Sequence, residues 1–138
     1  LDFPMYKGMQ NCVRDLNLMY KGNAPLYEQD FDYRGFEWID HSNADDSVIA
    51  YMRKGTNAGD YLISITNFTP VVRNDYRLGV NELCGYQEIF NSDDVNYWGS
   101  GVKNEGVKYA EEYGWNCKPY SVRLTLPPLS TIVLKPVK

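Results

Sequence analysis

The hydrophobic period of this chain changes once, near Gly35. Before it, Met9, Cys12, Val13, Leu16, Met19 and Tyr20 recur at the i, i+3, i+4, i+7 spacing of an amphipathic helix. Gln10, Asn11, Arg14, Asp15 and Lys21 fall largely off that stripe. Gly22 reads as a left-handed stop for the helix. Pro25 reads as the opening of a short second helical turn through Glu28, because its missing N–H is harmless at a first helical position.

After Gly35 the period is two. Residues 36–39, 48–53 and 61–66 are predicted strands, the latter two joined as an antiparallel hairpin by Gly55-Thr56-Asn57-Ala58-Gly59. Shorter strands are predicted at 77–80 and 86–90, and residues 120–126 alternate cleanly. Pro127-Pro128 is expected to fold that last strand back onto 129–134 as a closing hairpin. Many short strands separated by Gly, Pro, Asn and Asp predict an all-β fold, an antiparallel β-sandwich preceded by a helical segment. Residues 91–118 carry turn residues, many aromatics and no sustained period, so they are expected to form a long surface excursion with a binding or packing task.

Two blocks lie at the centre of this pattern. Asn67-Phe68-Thr69-Pro70 with Asp75-Tyr76-Arg77 is followed by Glu88-Ile89-Phe90-Asn91-Ser92-Asp93. Together they resemble the C-terminal β-domain of bacterial glycogen (1,4-α-glucan) branching enzymes. The resemblance extends back through Gly35-Phe36-Glu37-Trp38 to Val13-Arg14-Asp15-Leu16-Asn17, and forward to Leu126-Pro127-Pro128-Leu129-Ser130-Thr131, and so covers nearly the whole chain. The last motif resembles the end of many α-amylase-superfamily proteins, whereas the first two blocks resemble branching enzymes in particular.

The resemblance implies a division at residue 35. Residues 1–34 would be the last helix of a catalytic barrel with its connector, and residues 35–138 a C-terminal β-sandwich of the α-amylase type. It implies a retaining glycosyltransferase as the parent enzyme, which cleaves an α-1,4-glucan, holds the segment as a covalent glycosyl-enzyme and transfers it to a 6-hydroxyl to form an α-1,6 branch. The implied partners are the catalytic barrel of the same polypeptide and α-glucan, with no nucleotide or other cofactor. The nucleophile, the acid/base and the third carboxylate would lie on barrel strands upstream of residue 1, so no catalytic residue is carried over to this chain.

Length and charge agree with that picture. At 138 residues the chain suffices for one domain and is too short for a (β/α)8 barrel, which takes ~250 residues. It opens on Leu1-Asp2-Phe3-Pro4, which reads as the tail of a preceding element and suggests a piece of a larger enzyme. Without a secretory signal or an apolar run of membrane-spanning length, a soluble, cytoplasmic protein is expected. The net charge of −4 is spread out, with no Lys/Arg cluster to displace counterions, which argues against a nucleic-acid partner. Cys12, Cys84 and Cys117 are odd in number and lack CxxC spacing, so reduced structural thiols are expected. His41 is the single histidine, and no multi-histidine metal site is available.

Glycoside chemistry needs two carboxyl groups facing one bond. Asp93-Asp94 and Glu111-Glu112 are adjacent pairs whose side chains diverge on extended backbone, so neither is expected to be catalytic. Asn67-Phe68-Thr69 matches a glycosylation pattern, but reads as a strand end with Phe68 buried and Pro70 stopping the ladder. Asp75-Tyr76-Arg77 is expected to hold a phenol between opposite charges at a strand start. The local chemistry left is aromatic: a flat ring can lie on the apolar face of a glucose while nearby polar groups bond its hydroxyls. Trp38 beside Glu37 and Asp40, and Tyr97-Trp98 beside Asn96, Ser100 and Asn104, fit that description best. Tyr113 and Trp115 beside Asn116 fit it too. The competing reading is that these rings pack the core. Alternative identities are a free-standing glucan-binding module, a β-domain that touches no sugar, and the corresponding domain of a hydrolase of the same superfamily.

Overall fold

The computed structural model describes residues 3–29, 32–43 and 47–138, with backbone alone at 41–43. The reading of His41 therefore lies outside the described residues. Helix α1 (Pro4–Gly22) is followed by a 3-10 turn, Ala24–Leu26. A second such turn, Tyr33–Gly35, leads into strands β1 (Phe36–Asn43), β2 (Val48–Lys54), β3 (Tyr61–Asn67), β4 (Arg73–Val80) and β5 (Gly85–Asn91). A third, Val95–Tyr97, precedes β6 (Val107–Tyr109), β7 (Tyr120–Leu126) and β8 (Ser130–Val137).

The strands form two sheets. One has six strands in the order β1-β2-β3-β8-β5-β6, and the other is the pair β4-β7. Alternation decides which side chains meet between them. Val48, Ala50 and Met52 of β2 are buried, while Ile49 and Tyr51 are half-buried on the outer face. From the small sheet, Leu78 and Val80 of β4 and Leu124 and Leu126 of β7 close the core from the other side. This is the expected antiparallel sandwich.

A smaller apolar cluster lies behind the large sheet. Leu62, Phe90 and Val133 project outward there, and Cys12, Met19 and Leu26 pack on them. The molecule thus has three layers: α1, the six-stranded sheet and the two-stranded sheet. The sequence periodicity predicts α1, but its stop differs from expectation. Gly22 is the last helical residue, and the positive-φ glycines among the described residues are Gly101 and Gly106. Asn23 instead ends the helix in extended conformation, its side-chain amide donating to the Met19 carbonyl at 2.9 Å. An orphan carbonyl is satisfied by a side chain, so no left-handed residue is needed.

The predicted β2-β3 antiparallel hairpin forms, in register from Val48 opposite Asn67 to Lys54 opposite Tyr61. The closing hairpin does not form. β7 pairs with β4, while β8 inserts between β3 and β5, so Pro127-Pro128 carries the chain from one sheet to the other. The crossover is held by Leu129, which adopts φ +49° and donates its N–H to the Thr69 carbonyl at 2.8 Å.

Asn67 holds both crossovers. It is 1% exposed, and its amide donates to the carbonyls of Val71 at 2.9 Å and Pro127 at 3.0 Å. Its carbonyl accepts from the Thr69 backbone at 3.0 Å and the Thr69 hydroxyl at 2.7 Å. The glycosylation pattern here is therefore a structural motif: the amide that would carry a glycan is buried and fully bonded. Phe68, expected to be buried, is 57% exposed, because strand alternation turns it outward after the buried Asn67.

Tyr76 also departs from expectation. Its hydroxyl donates to Asp40 on β1 at 2.8 Å instead of lying between Asp75 and Arg77. Asp75 takes φ +53° at an irregularity in the β4-β7 register.

Candidate functional site

The aromatics singled out by the sequence lie on different surfaces. Trp38 stands on β1 opposite Tyr51 of β2, on the outer face of the large sheet. Its ring meets Phe36 edge-on at 5.0 Å and Tyr51 at 6.2 Å, and Phe36 stacks on Tyr51 at 5.1 Å. Trp38 is 48% exposed, so it is a surface ring rather than a core one. Phe36 and Tyr51 complete this cluster, and sequence reasoning missed them. The signal was the cross-strand register, since i, i+2 neighbours and the residue directly opposite share one face.

The polar groups expected to accompany Trp38 are committed elsewhere. Glu37 points to the opposite side, where it bonds Lys118, Lys54 and Asn81, and Lys118 chiefly holds its carboxyl below the usual value. Asp40 accepts the Tyr76 hydroxyl.

Tyr97 and Trp98 are adjacent in sequence but do not form one platform. Tyr97 turns inward, stacks on Phe90 at 5.7 Å and donates its hydroxyl to Asp15 of α1 at 2.5 Å. Trp98, in left-handed conformation at φ +71°, lies over the start of α1 and lines a shallow cavity of about 190 Å³ with Phe3, Pro4, Met5 and Tyr6. Gly8 is what allows this approach, because a Cβ there would stand 2.9 Å from the Tyr97 carbonyl carbon. Residues 95–98 therefore form the seat of α1.

The polar neighbours of this pair hold the loop. The buried Asp93 carboxylate accepts from the Ser100 backbone and hydroxyl, at 3.0 and 2.6 Å, and from the Val102 N–H at 3.0 Å. Asn104 pairs with the Thr125 backbone, donating to its carbonyl and accepting from its N–H, both at 2.8 Å. The excursion 91–118 is consequently tied to both sheets through side chains, and it includes β6, which pairs with β5.

The bond between Tyr97 and Asp15 couples α1 to titration. It lowers the Asp15 pKa, and burial followed by Asp15 raises that of Tyr97. For a depressed carboxyl, the stabilising contribution is present above its unfolded value and is lost as pH falls through the folded one. For a raised phenol it is present below the unfolded value and lost as pH rises through the folded one. Lowering the pH from about 6 to about 3 should therefore loosen α1 at Tyr97. The expected result is an acid-induced shift of the Met19 methyl resonance with little change at Val48, and Tyr97→Phe should remove it. A Met19 signal indifferent to pH would contradict the coupling.

Between α1 and the large sheet runs an apolar groove of about 370 Å³ whose walls include Cys12, Leu16, Tyr51, Leu62 and Val133. On the outward side of α1, Met9, Val13 and Tyr20 are exposed, Met9 by 64% and Val13 by 49%. The stripe predicted from the sequence is thus divided: Cys12 and Met19 pack on the sheet, Leu16 lines the groove, and Met9, Val13 and Tyr20 face solvent.

Neither carboxylate pair is arranged for glycoside chemistry. Asp93 is consumed by its loop, Asp94 accepts from the Asn96 N–H, and Glu111 meets Arg77 and Arg123. Among the described residues, no group of three or more His, Cys, Asp or Glu side chains could hold a metal ion. Cys12, Cys84 and Cys117 are free thiols. No helix among the described residues is long and apolar enough to cross a membrane.

A two-sheet antiparallel sandwich with a helix on its outer face defines an all-β domain of the sandwich class. Residues 38–137 match the model of the alpha amylase C-terminal all-beta domain, and the chain belongs to that family. It is 46% identical over 137 residues to the 1,4-alpha-glucan branching enzyme GlgB of Halothermothrix orenii, covering 99% of this chain and 22% of that protein. It is 45% identical over 130 residues to the enzyme of the same name from Rubrobacter xylanophilus, covering 94% and 18%. For that of Aquifex aeolicus the identity is 44% over 135 residues, covering 98% and 21%. The chain thus spans about a fifth of the length of these curated relatives, and the part it matches is their C-terminal domain.

Proposed function

We propose that this chain is the non-catalytic C-terminal part of a cytoplasmic 1,4-α-glucan branching enzyme, with residues 1–34 as barrel helix and connector and residues 35–138 as the sandwich. The reaction proposed for the whole polypeptide is cleavage of an α-1,4-glucan and transfer of the segment to a 6-hydroxyl through a covalent glycosyl-enzyme. Its carboxylates belong to the barrel, and the role of this domain is to support that barrel and to guide glucan. The observation that carries the reading is the outward face of α1. A helix already docked on its own sheet retains an exposed row of Met9, Val13 and Tyr20, in a chain that spans a fifth of its relatives. Contiguous exposed apolar surface of this kind marks an interaction site.

Trp38 is the residue best suited to touch glucan on the α1 side. It is exposed, braced by Phe36 and Tyr51, and placed on the edge strand. Tyr97 and Trp98 serve glucan indirectly, by seating the helix. A shallow site that covers one or two rings gives weak binding, with a Kd on the order of 1 mM or about −4 kcal/mol. The purified chain incubated with amylose should form no α-1,6 linkages above a heat-treated control, because the carboxylate pair the reaction needs is proposed to lie on the barrel. Titration with maltoheptaose should shift the Trp38 indole signal, and Trp38→Ala should abolish that response. Turnover by the chain alone would move the chemistry into this domain, and a silent Trp38 would leave the domain a purely structural support.

A further inference from the structure

The surface opposite α1 carries a second aromatic site. Arg77 and Gly79 of β4, with Ser121 and Arg123 of β7, occupy the outer face of the two-stranded sheet, since their neighbours Leu78, Val80, Val122 and Leu124 fill the core. Above that face stand Tyr113 and Trp115, 54% and 46% exposed, with ring centroids 6.3 Å apart and planes inclined by 37°.

The pair is built rather than incidental. Trp115 and Lys118 exchange backbone hydrogen bonds across a tight turn in which Asn116 and Cys117 take φ of +52° and +59°. Two consecutive non-glycine residues in left-handed conformation are costly and persist only where the surroundings impose them. Asn116 accepts the Gly79 N–H at 2.8 Å, and the Trp115 carbonyl lies so close to Gly79 that a Cβ there would stand 2.1 Å from it. Lys118 anchors the other end on Glu37. The Arg77 guanidinium lies 4.3 Å from the Tyr113 ring centroid and is fixed by the Ser121 hydroxyl at 2.6 Å. One face of Tyr113 is thereby covered and its orientation set.

We infer that Tyr113 and Trp115 form a second glucan-contact site, for consecutive pyranose rings of an α-1,4-linked chain, on the face remote from α1. The inference rests on the proposal that the polypeptide handles α-glucan. Two inclined rings suit a chain whose successive sugars are turned relative to each other. Stacking needs the apolar platform, and the Arg77, Glu111 and Arg123 cluster at its margin supplies charged donors and acceptors for hydroxyl pairs. A site there would hold a long chain away from the catalytic groups while its end is processed.

The three tryptophans make the test direct, since 5-fluorotryptophan labelling gives separate ¹⁹F signals for Trp38, Trp98 and Trp115. The Trp115 signal should move saturably with maltoheptaose and stay still with cellohexaose. Tyr113→Ala keeps that reporter and should weaken the titration at least about tenfold. Trp115→Leu, measured by calorimetry at matched melting temperature, should show the same loss. A Trp115 signal unmoved by sugar, one moved equally by cellohexaose, or one that depends only on protein concentration overturns the inference. If Trp38 alone responds, the second site fails and the first stands. If Trp115 alone responds, the second stands without Trp38, and silence at both sites ends both assignments.

Discussion

Replacing Asn67 with alanine should destabilise the domain by about 2–4 kcal/mol, the largest effect expected from one surface-invisible polar side chain. The substitution removes four hydrogen bonds at once and leaves the Val71 and Pro127 carbonyls without their amide partner. A buried group deprived of its partner costs about 1–3 kcal/mol, and two are affected, with solvent reaching the crossover offsetting part. Asn67→Asp should be nearly as harmful, since the carboxylate can still accept from Thr69 but presents negative oxygens to two carbonyls. Urea unfolding of wild type and both variants measures this. A midpoint shift equivalent to less than about 0.5 kcal/mol, the range of ordinary surface changes, would show that the crossovers stand without Asn67.

Introducing Val13→Asp should have very different consequences in two settings. In the 138-residue chain the side chain is half exposed, so the new charge stays hydrated and stability should change by about 0.5 kcal/mol or less. In the longer polypeptide, where the α1 face is proposed to be covered, the same carboxylate would be buried without a partner and should cost about 2–4 kcal/mol. Differential scanning calorimetry of the matched pairs measures the contrast. Equal and small shifts in both would mean that the outward face of α1 meets water in the longer polypeptide as well.

Local pattern made a large part of this fold legible. Period-two alternation in 48–53 and 61–66 with glycines between them predicts the β2-β3 hairpin, whose register a short loop and one buried face then fix. The 3.6 period of Met9 to Tyr20 likewise predicts α1. The failure at Pro127-Pro128 has an equally physical cause. Proline marks a change of direction, but a hairpin and a crossover to the opposite sheet begin with the same turn chemistry, and the choice is made by the vacancy between β3 and β5.

The candidate site was legible in composition and not in arrangement. Trp38 reads from the sequence as an exposed platform or a core ring, and the outward position opposite Tyr51 decides between them. Tyr97 and Trp98 read as a pair, yet a 3-10 turn ending in a left-handed residue sends one ring to Asp15 and the other to the start of α1. Ser100 and Asn104 read as polar partners of a ligand, yet Ser100 is bonded to Asp93 of its own loop and Asn104 to the Thr125 backbone of β7.

What the sequence by itself determined is the membership of the chain and the order of its elements, because periodicity, turn residues and family motifs are properties of neighbouring positions. What only the tertiary structure decided is which side chains share a surface: the division of the α1 stripe into packed and outward halves, the role of Asn67 at two crossovers, and the meeting of Arg77, Tyr113 and Trp115 above Gly79. These depend on contacts between segments far apart in the chain, whose register and facing are set by core packing as a whole and by no local run of residues.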